Sequence, residues 1–145
     1  MRTEAPGLAR IRSLIGAADR GKAAPIARLL GARILEVESG AVRIEFTVKD
    51  DFMHPGGAVQ GGIITAYTDM CMALAAHTLF DDGQYLSTSS LTANFLAPVT
   101  HGPVVGEGRV LRKGRSVVFL EATLRDAGGH PCAHATSVAS IRHVR

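Results

Sequence analysis

The sequence predicts an α+β fold: an antiparallel sheet of about six strands wrapped round one long central helix, with a helical flank at the N-terminus. Three observations carry this. The run at 63–80 is of helical length and apolar on nearly every side, so it has to be surrounded. Stretches of strand length, alternating or bounded by turns, stand on both sides of it. Alternating strand–helix–strand units are absent, which argues against a parallel sheet. The chain has 145 residues, of which 46% are hydrophobic and 20% charged, and its 16 Gly and 6 Pro are dispersed, as expected of one packed domain. We divide it into a flank at 1–31 and a single domain at 32–145.

Each element has its own signal. Residues 4–30 read as helical, with Leu8, Ile11, Leu14 and Ile15 at three- and four-residue spacing, a break at Gly21 and a short turn over 25–30 ending at Gly31. ARILEVE, a Ser39-Gly40 turn and AVRIEFTVK form a hairpin, in which Val42, Ile44, Phe46 and Val48 alternate with polar neighbours. Residues 50–62 (DDFMHPGGAVQGG) hold four Gly and a Pro and make a shaped loop before the helix. After the turn at 81–83, strands are expected at about 85–96, 103–113, 115–126 and 131–143.

Composition bounds the function. Sixteen Lys and Arg against 13 Asp and Glu leave a net charge of +3. The excess is uneven: residues 1–33 carry Arg2, Arg10, Arg12, Arg20, Lys22, Arg28 and Arg33 against Glu4 and Asp19, and a second cluster lies at Arg109, Arg112, Lys113 and Arg115. Such clusters suit a phosphate-bearing ligand. With five Phe, two Tyr and no Trp, the basic runs are not interleaved with aromatics, which argues against nucleic acid. Cys71 and Cys132 lack CxxC spacing and read as buried thiols of a reducing compartment; His130, Cys132 and His134 supply no third ligand on one face, so no metal is expected. The N-terminus is charged throughout and does not read as a signal peptide. The long apolar run contains Asp69, His77 and three Thr, so it reads as a core helix and not a membrane span, and a cytoplasmic location follows by default.

Asp69 is the most informative residue. It lies about two turns inside the helix, too deep for an N-cap, among Ala66, Tyr67, Met70, Cys71, Met72 and Ala73. A carboxylate there either meets a donor from elsewhere or serves proton transfer. Gly61 and Gly62 open the same helix, and their unobstructed amides sit at the positive end of its dipole, where an amide polarises a carbonyl. A donor for an oxyanion and a base or nucleophile are thus about 10 Å apart along the helix. That is long for a site within one chain and suggests that two chains contribute.

On HPGGAVQGGIITAYTDM, STSSLTANFLAPV and RVLRKGRSVVFLEATLRDAGGHPCAHATSVASI, residues from about 24 to 144 resemble the hotdog-fold acyl-CoA thioesterases, in particular the PaaI-like branch of the phenylacetate pathway. In that branch the loop reads Asn, then His-Gly-Gly, then an Asp on the helix and a Ser or Thr on the following strand. Here His54 stands at the Asn position, Gln60 at the His, Gly61 at the oxyanion-donor Gly, Asp69 at the acid and Thr88 at the hydroxyl. The spacing fits, although both the Asn and the His are replaced.

The resemblance implies hydrolysis of an acyl-CoA thioester without metal or redox cofactor. Asp69 is the expected base or nucleophile, Gly61 the oxyanion donor, His54 and Gln60 the lining of the acyl carbonyl, and Thr88 the residue that orients water. Thr88 is read on one strand face with Leu86, Ser90, Thr92 and Asn94. The hairpin tip Arg112, Lys113, Gly114, Arg115 and Ser116, together with Gly62, is expected near coenzyme A. The family's units pair edge to edge as dimers, commonly as dimers of dimers, so each site would take His54 and Gly61 from one subunit and Asp69 and Thr88 from the other. Two alternatives stay open: an acyl-CoA-binding protein without turnover, and a hydroxyacyl-thioester dehydratase using a loop His and a helix Asp.

Overall fold

A computed structural model describes residues 3–17 and 20–145. The long helix, α3, spans Gly61–His77. Its buried residues Ile64, Tyr67, Thr68, Cys71, Met72, Ala75 and Ala76 recur at helical spacing and form one face. That face lies in a six-stranded antiparallel sheet built from β1 (Ala32–Glu38), β2 (Ala41–Phe46), β3 (Gln84–Phe95), β4 (Val104–Lys113), β5 (Val117–Arg125) and β6 (Pro131–His143), in the order β1-β2-β4-β5-β6-β3. The inner sheet face meets the helix with Ile44, Phe46, Val118, Leu120, Leu124 and the small residues Ala133, Ala135 and Ala139, all fully buried. Two glycines of β4 set the depth of the helix. A Cβ on Gly106 would lie 2.5 Å from the Cys71 sulfur, and one on Gly108 2.2 Å from the Cys71 carbonyl oxygen.

The N-terminal flank is more broken than its spacing predicts. Helix α1 covers only Pro6–Arg12 and helix α2 only Pro25–Leu29. Residues 13–17 form turns, with Gly16 at φ 73°, so the chain bends well before Gly21. The part of that helical expectation at 18–19 lies outside the described residues, as do Arg2 and Asp19 of the basic flank. Leu8, Ile11 and Leu30 belong to the core. The Gly7 amide donates to the Phe80 carbonyl at 3.0 Å, a close approach of α1 to the end of α3 that a side chain at Gly7 would block.

The first hairpin ends earlier than expected. β2 stops at Phe46, although the Thr47 amide still donates to the Gly31 carbonyl at 3.1 Å; beyond the strand, Lys49 donates its ammonium to the Arg28 and Leu29 carbonyls at the C-terminus of α2, where a cation is favourable. The next residues, Asp50–Phe52, turn as a short 3-10 helix into the loop before α3. No helix among the described residues is long and apolar enough to cross a membrane.

Candidate active site

The site is organised around two stations on α3. At its N-terminus Gln60 is the cap residue; its amide donates to the Phe52 carbonyl at 2.8 Å and its carbonyl accepts from Ile63 and Ile64 at 2.9 and 3.2 Å. The Gly61 and Gly62 amides find no acceptor among the described residues, as expected for the first turn of a helix. Gly62 faces open space, whereas a Cβ on Gly61 would sit 3.2 Å from the Phe95 ring at the end of β3. The side chain of Gln60 is exposed.

His54 shapes the loop that leads there. Its Nδ1 accepts the Gly56 amide at 2.9 Å, its carbonyl accepts from Gly57 at 2.9 Å, and its own amide donates to Ala58 at 2.8 Å. The ring proton therefore resides on Nε2, which leaves that atom as a donor. A side chain at Gly56 would strike the ring at 2.7 Å, so the Pro-Gly-Gly run is what lets imidazole close the turn.

Two turns along α3, Asp69 is half-buried. Of the two readings of this carboxylate, the structure shows the donor: Thr88 Oγ1 donates to Asp69 Oδ1 at 3.2 Å within the same chain. A β-bulge makes this contact. Thr88 pairs with Ala139 and Ser90 with Val138, so Ser89 is the extra residue and the strand changes face there. The single polar face expected from Leu86 to Asn94 is thus corrected. Leu86 and Thr88 turn toward the helix, Leu91 and Ala93 take over beyond the bulge and pack on the core, and Ser90, Thr92 and Asn94 lie on the outer face.

Asp69 shares its helix face with Ala66, Met70, Ala73 and Leu74, which together line a half-open cavity of about 570 Å³ bordered on its other side by the N-terminal flank. This second apolar face explains why α3 is greasy all round: one side meets the sheet, the other a cavity. The sequence leaves the role of the flank open, and the abundance of alanine at 17, 23, 24 and 27 is its one signal there.

The remaining reactive groups are quiet. Burial pushes both thiols up, most strongly at Cys71, so neither supplies a thiolate near neutral pH. Tyr67 is fully buried between Phe46 and Phe52, with its hydroxyl unpartnered among the described residues, and burial raises its pKa to about 12. On the outer sheet face Glu121 is held below the usual carboxylate range, first by its hydrogen bond from Arg109 and also by His134. No group of three or more potential metal ligands occurs among the described residues.

The basic tip between β4 and β5 is exposed apart from the half-buried Gly114, whose amide donates to the Val117 carbonyl at 2.8 Å. Registers place Lys113, Val118, Ala139 and Thr88 in one row across the sheet, so the tip and the Asp69–Thr88 pair occupy the same level. Lys113 is three strands from Thr88, about 14 Å at the usual strand spacing. β3 is an edge strand of 12 residues that pairs, among the described residues, with β6 alone, and Tyr85, Phe95 and Leu96 are exposed along or just beyond it.

A long helix wrapped by this six-stranded antiparallel sheet is the hotdog fold. The chain belongs to the thioesterase superfamily, whose family model matches residues 56–133. It is 38% identical over 108 residues to an esterase-named protein of Saccharolobus solfataricus, covering 74% of this chain and 76% of that one. It is 29% identical over 103 residues to the proofreading thioesterase EntH of Klebsiella pneumoniae, covering 71% and 75%. The crystal structure of a thioesterase-class phenylacetic acid degradation-related protein from Ralstonia eutropha superposes with TM-score 0.79 at 32% identity, over 87% of this chain and 98% of that one.

Proposed function

We propose that this thioester hydrolase acts on acyl-CoA and builds each active site from two subunits. The observation that carries the reading is the separation of complementary groups on one helix. Amides without acceptors stand at Gly61 and Gly62, and an acid that already holds Thr88 stands eight residues on, about 12 Å along the axis. One thioester carbon cannot lie within reach of both in one chain. Edge-to-edge pairing of β3 with a second copy brings the first station of one chain to the second station of the other, and a two-fold axis makes two such sites.

In this site the Gly61 amide stabilises the oxyanion, with Gln60 and the Nε2 of His54 lining the carbonyl. Asp69 acts as nucleophile or as general base on a water that Thr88 orients. The reaction adds oxygen to the thioester carbon, expels the coenzyme A thiolate with a proton, and leaves the free acid. Arg112, Lys113 and Arg115 at the hairpin tip, with the backbone of Gly62, Gly114 and Ser116, bind the coenzyme A portion, for which guanidinium forks are suited. The catalytic unit is a single domain over 32–145, carrying the flank 1–31; pairs of dimers complete the assembly, and no metal takes part.

The test is free-thiol release from short, medium, long and aryl acyl-CoAs by the native protein and Asp69→Asn. Turnover that falls about 10²-fold or more in the variant supports the reading. Equal inertness of both proteins, with acyl-CoA still bound, overturns it in favour of a binding protein.

A further inference from the structure

His54 is held by more than a residue lining a carbonyl requires. Its backbone closes the loop through Gly57 and Ala58, and the chain is pinned just beyond. Met53 and Val59 form a bridge, the Val59 amide donates to the Val99 carbonyl at 2.8 Å, and the Gln60 amide donates to Phe52. None of these bonds fixes the half-buried imidazole ring. Among the described residues, that is done by the Gly56 amide, which donates to Nδ1 at 2.9 Å.

A ring held in this way has its aim and its protonation decided together. The Gly56 amide needs an acceptor, so Nδ1 is bare and Nε2–H is the free donor. A second proton would turn Nδ1 into a donor as well. Two N–H groups would then face each other across 2.9 Å, and the ring has to swing away, taking Nε2–H with it.

We infer that His54 is a positioning residue that works only when neutral: the Gly56 amide, by demanding a bare Nδ1, aims Nε2–H at the acyl carbonyl, and protonation releases the ring and lowers activity. The inference rests on the thioesterase reading, in which that carbonyl lies beside Gly61. Its sign is diagnostic. An imidazolium is the stronger hydrogen-bond donor, so a His54 acting through donor strength alone would raise activity in acid. The charged groups around the loop do not hold the ring. Asp50 and Asp51 are exposed in the turn before it, and the Lys49 ammonium is bound to the Arg28 and Leu29 carbonyls. On the loop reached through Val99, His101 is exposed and bonded to Thr100. In a two-chain site the remaining titrating group is Asp69 from the other subunit.

The experiment measures kcat/KM between about pH 8 and 5, the span over which imidazole titrates, for the acyl-CoA that the native protein turns over fastest. The native protein is compared with His54→Asn and His101→Asn. Asn Oδ1 stands two bonds from Cβ, as Nδ1 does, and accepts the amide two residues on without taking a proton. Native kcat/KM falls toward acid with a limiting slope of about tenfold per pH unit, as for one bound proton. Relative to its own value at high pH, His54→Asn loses that fall, while His101→Asn keeps it. Nitrogen NMR of the ring gives a readout that needs no turnover and separates release of the ring from unfolding. It shows a bare Nδ1 at neutral pH, and the Gly56 amide resonance moves with the same midpoint as the activity. A native rate that holds or rises in acid overturns the inference, as does a proton on Nδ1 at neutral pH. A fall that survives in His54→Asn assigns the titration to Asp69 and also overturns it, leaving the thioesterase reading intact. If no acyl-CoA is hydrolysed at any pH while ring and Gly56 amide titrate together, the thioesterase reading fails and the proton-sensitive loop stands.

Discussion

The two stations of α3 are opposites. At Gly61 and Gly62 the helix offers donors without acceptors, held open by a loop that His54 closes on itself. At Asp69 it offers an acceptor that already has a donor, aimed by a bulge in β3. The first station is made by local sequence, a helix start with no side chain in the way; the second is made by tertiary structure, a strand 19 residues further on that changes face at one position. A loop of fixed backbone can present an oxyanion hole by itself, whereas an acid on an apolar helix face needs a partner brought from elsewhere.

The largest expected effect comes from removing the acid, as in the Asp69→Asn assay. The next removes the donor without a charge change. Gly61→Pro deletes the amide hydrogen at a first helical position, where proline is tolerated, behind a Gln60 already extended at ψ 136°. The exposed Phe95 ring is the neighbour that must yield. We expect kcat to fall about 10²–10³-fold, as for loss of an oxyanion donor, with the fold retained by circular dichroism. An unchanged kcat would detach the first station from the chemistry.

A smaller effect is expected from Thr88→Val, which keeps the strand shape and removes the hydroxyl from Asp69. A hydrogen bond to a charged group of about 1.5–3 kcal/mol sets the scale at roughly 10- to 10²-fold in kcat, with KM little changed. An effect on KM alone would make Thr88 a binding residue.

The smallest concerns the far end of the same helix. His77 is held below its ordinary value of 6.5, chiefly by burial and also by Arg10, against the opposing hydrogen bond to the Ala73 carbonyl. The folded ring resists a proton that the unfolded chain accepts, so its contribution to stability is full above about pH 6.5 and is lost as pH falls through and below that value. His77→Phe keeps the contact with Phe80 and removes the titration. Its melting temperature should fall less than the native protein's between about pH 7 and 5, and parallel curves would contradict this.

Sequence pattern carries much of this architecture and only part of the site. The order of strands and helix was legible because turn residues separate alternating runs, and because an 18-residue apolar stretch containing one Asp has to be a core helix. Gly61 and Asp69 stood out for the same reason, since each breaks its surroundings in a way that chemistry explains. The face of Ser90, Thr92 and Asn94 was misread because a bulge leaves no mark in a row of Ser and Thr. The early end of α1 was missed because Leu14 continues the apolar spacing past Ser13, where the turns begin. The flank wall of the cavity was not legible, because it lies more than 30 residues from the helix wall and reads as ordinary packing.

The two-chain site is tested most directly by mixing two crippled proteins. Asp69→Asn and Gly61→Pro are unfolded together, refolded at equal amounts and assayed for thiol release. If each site takes its amide from one subunit and its acid from the other, half of the dimers are mixed and each mixed dimer regains one intact site, so activity returns to about a quarter of the native value. If both stations serve within one chain, the mixture is no more active than the average of its two inactive parents, and the shared-site account is wrong.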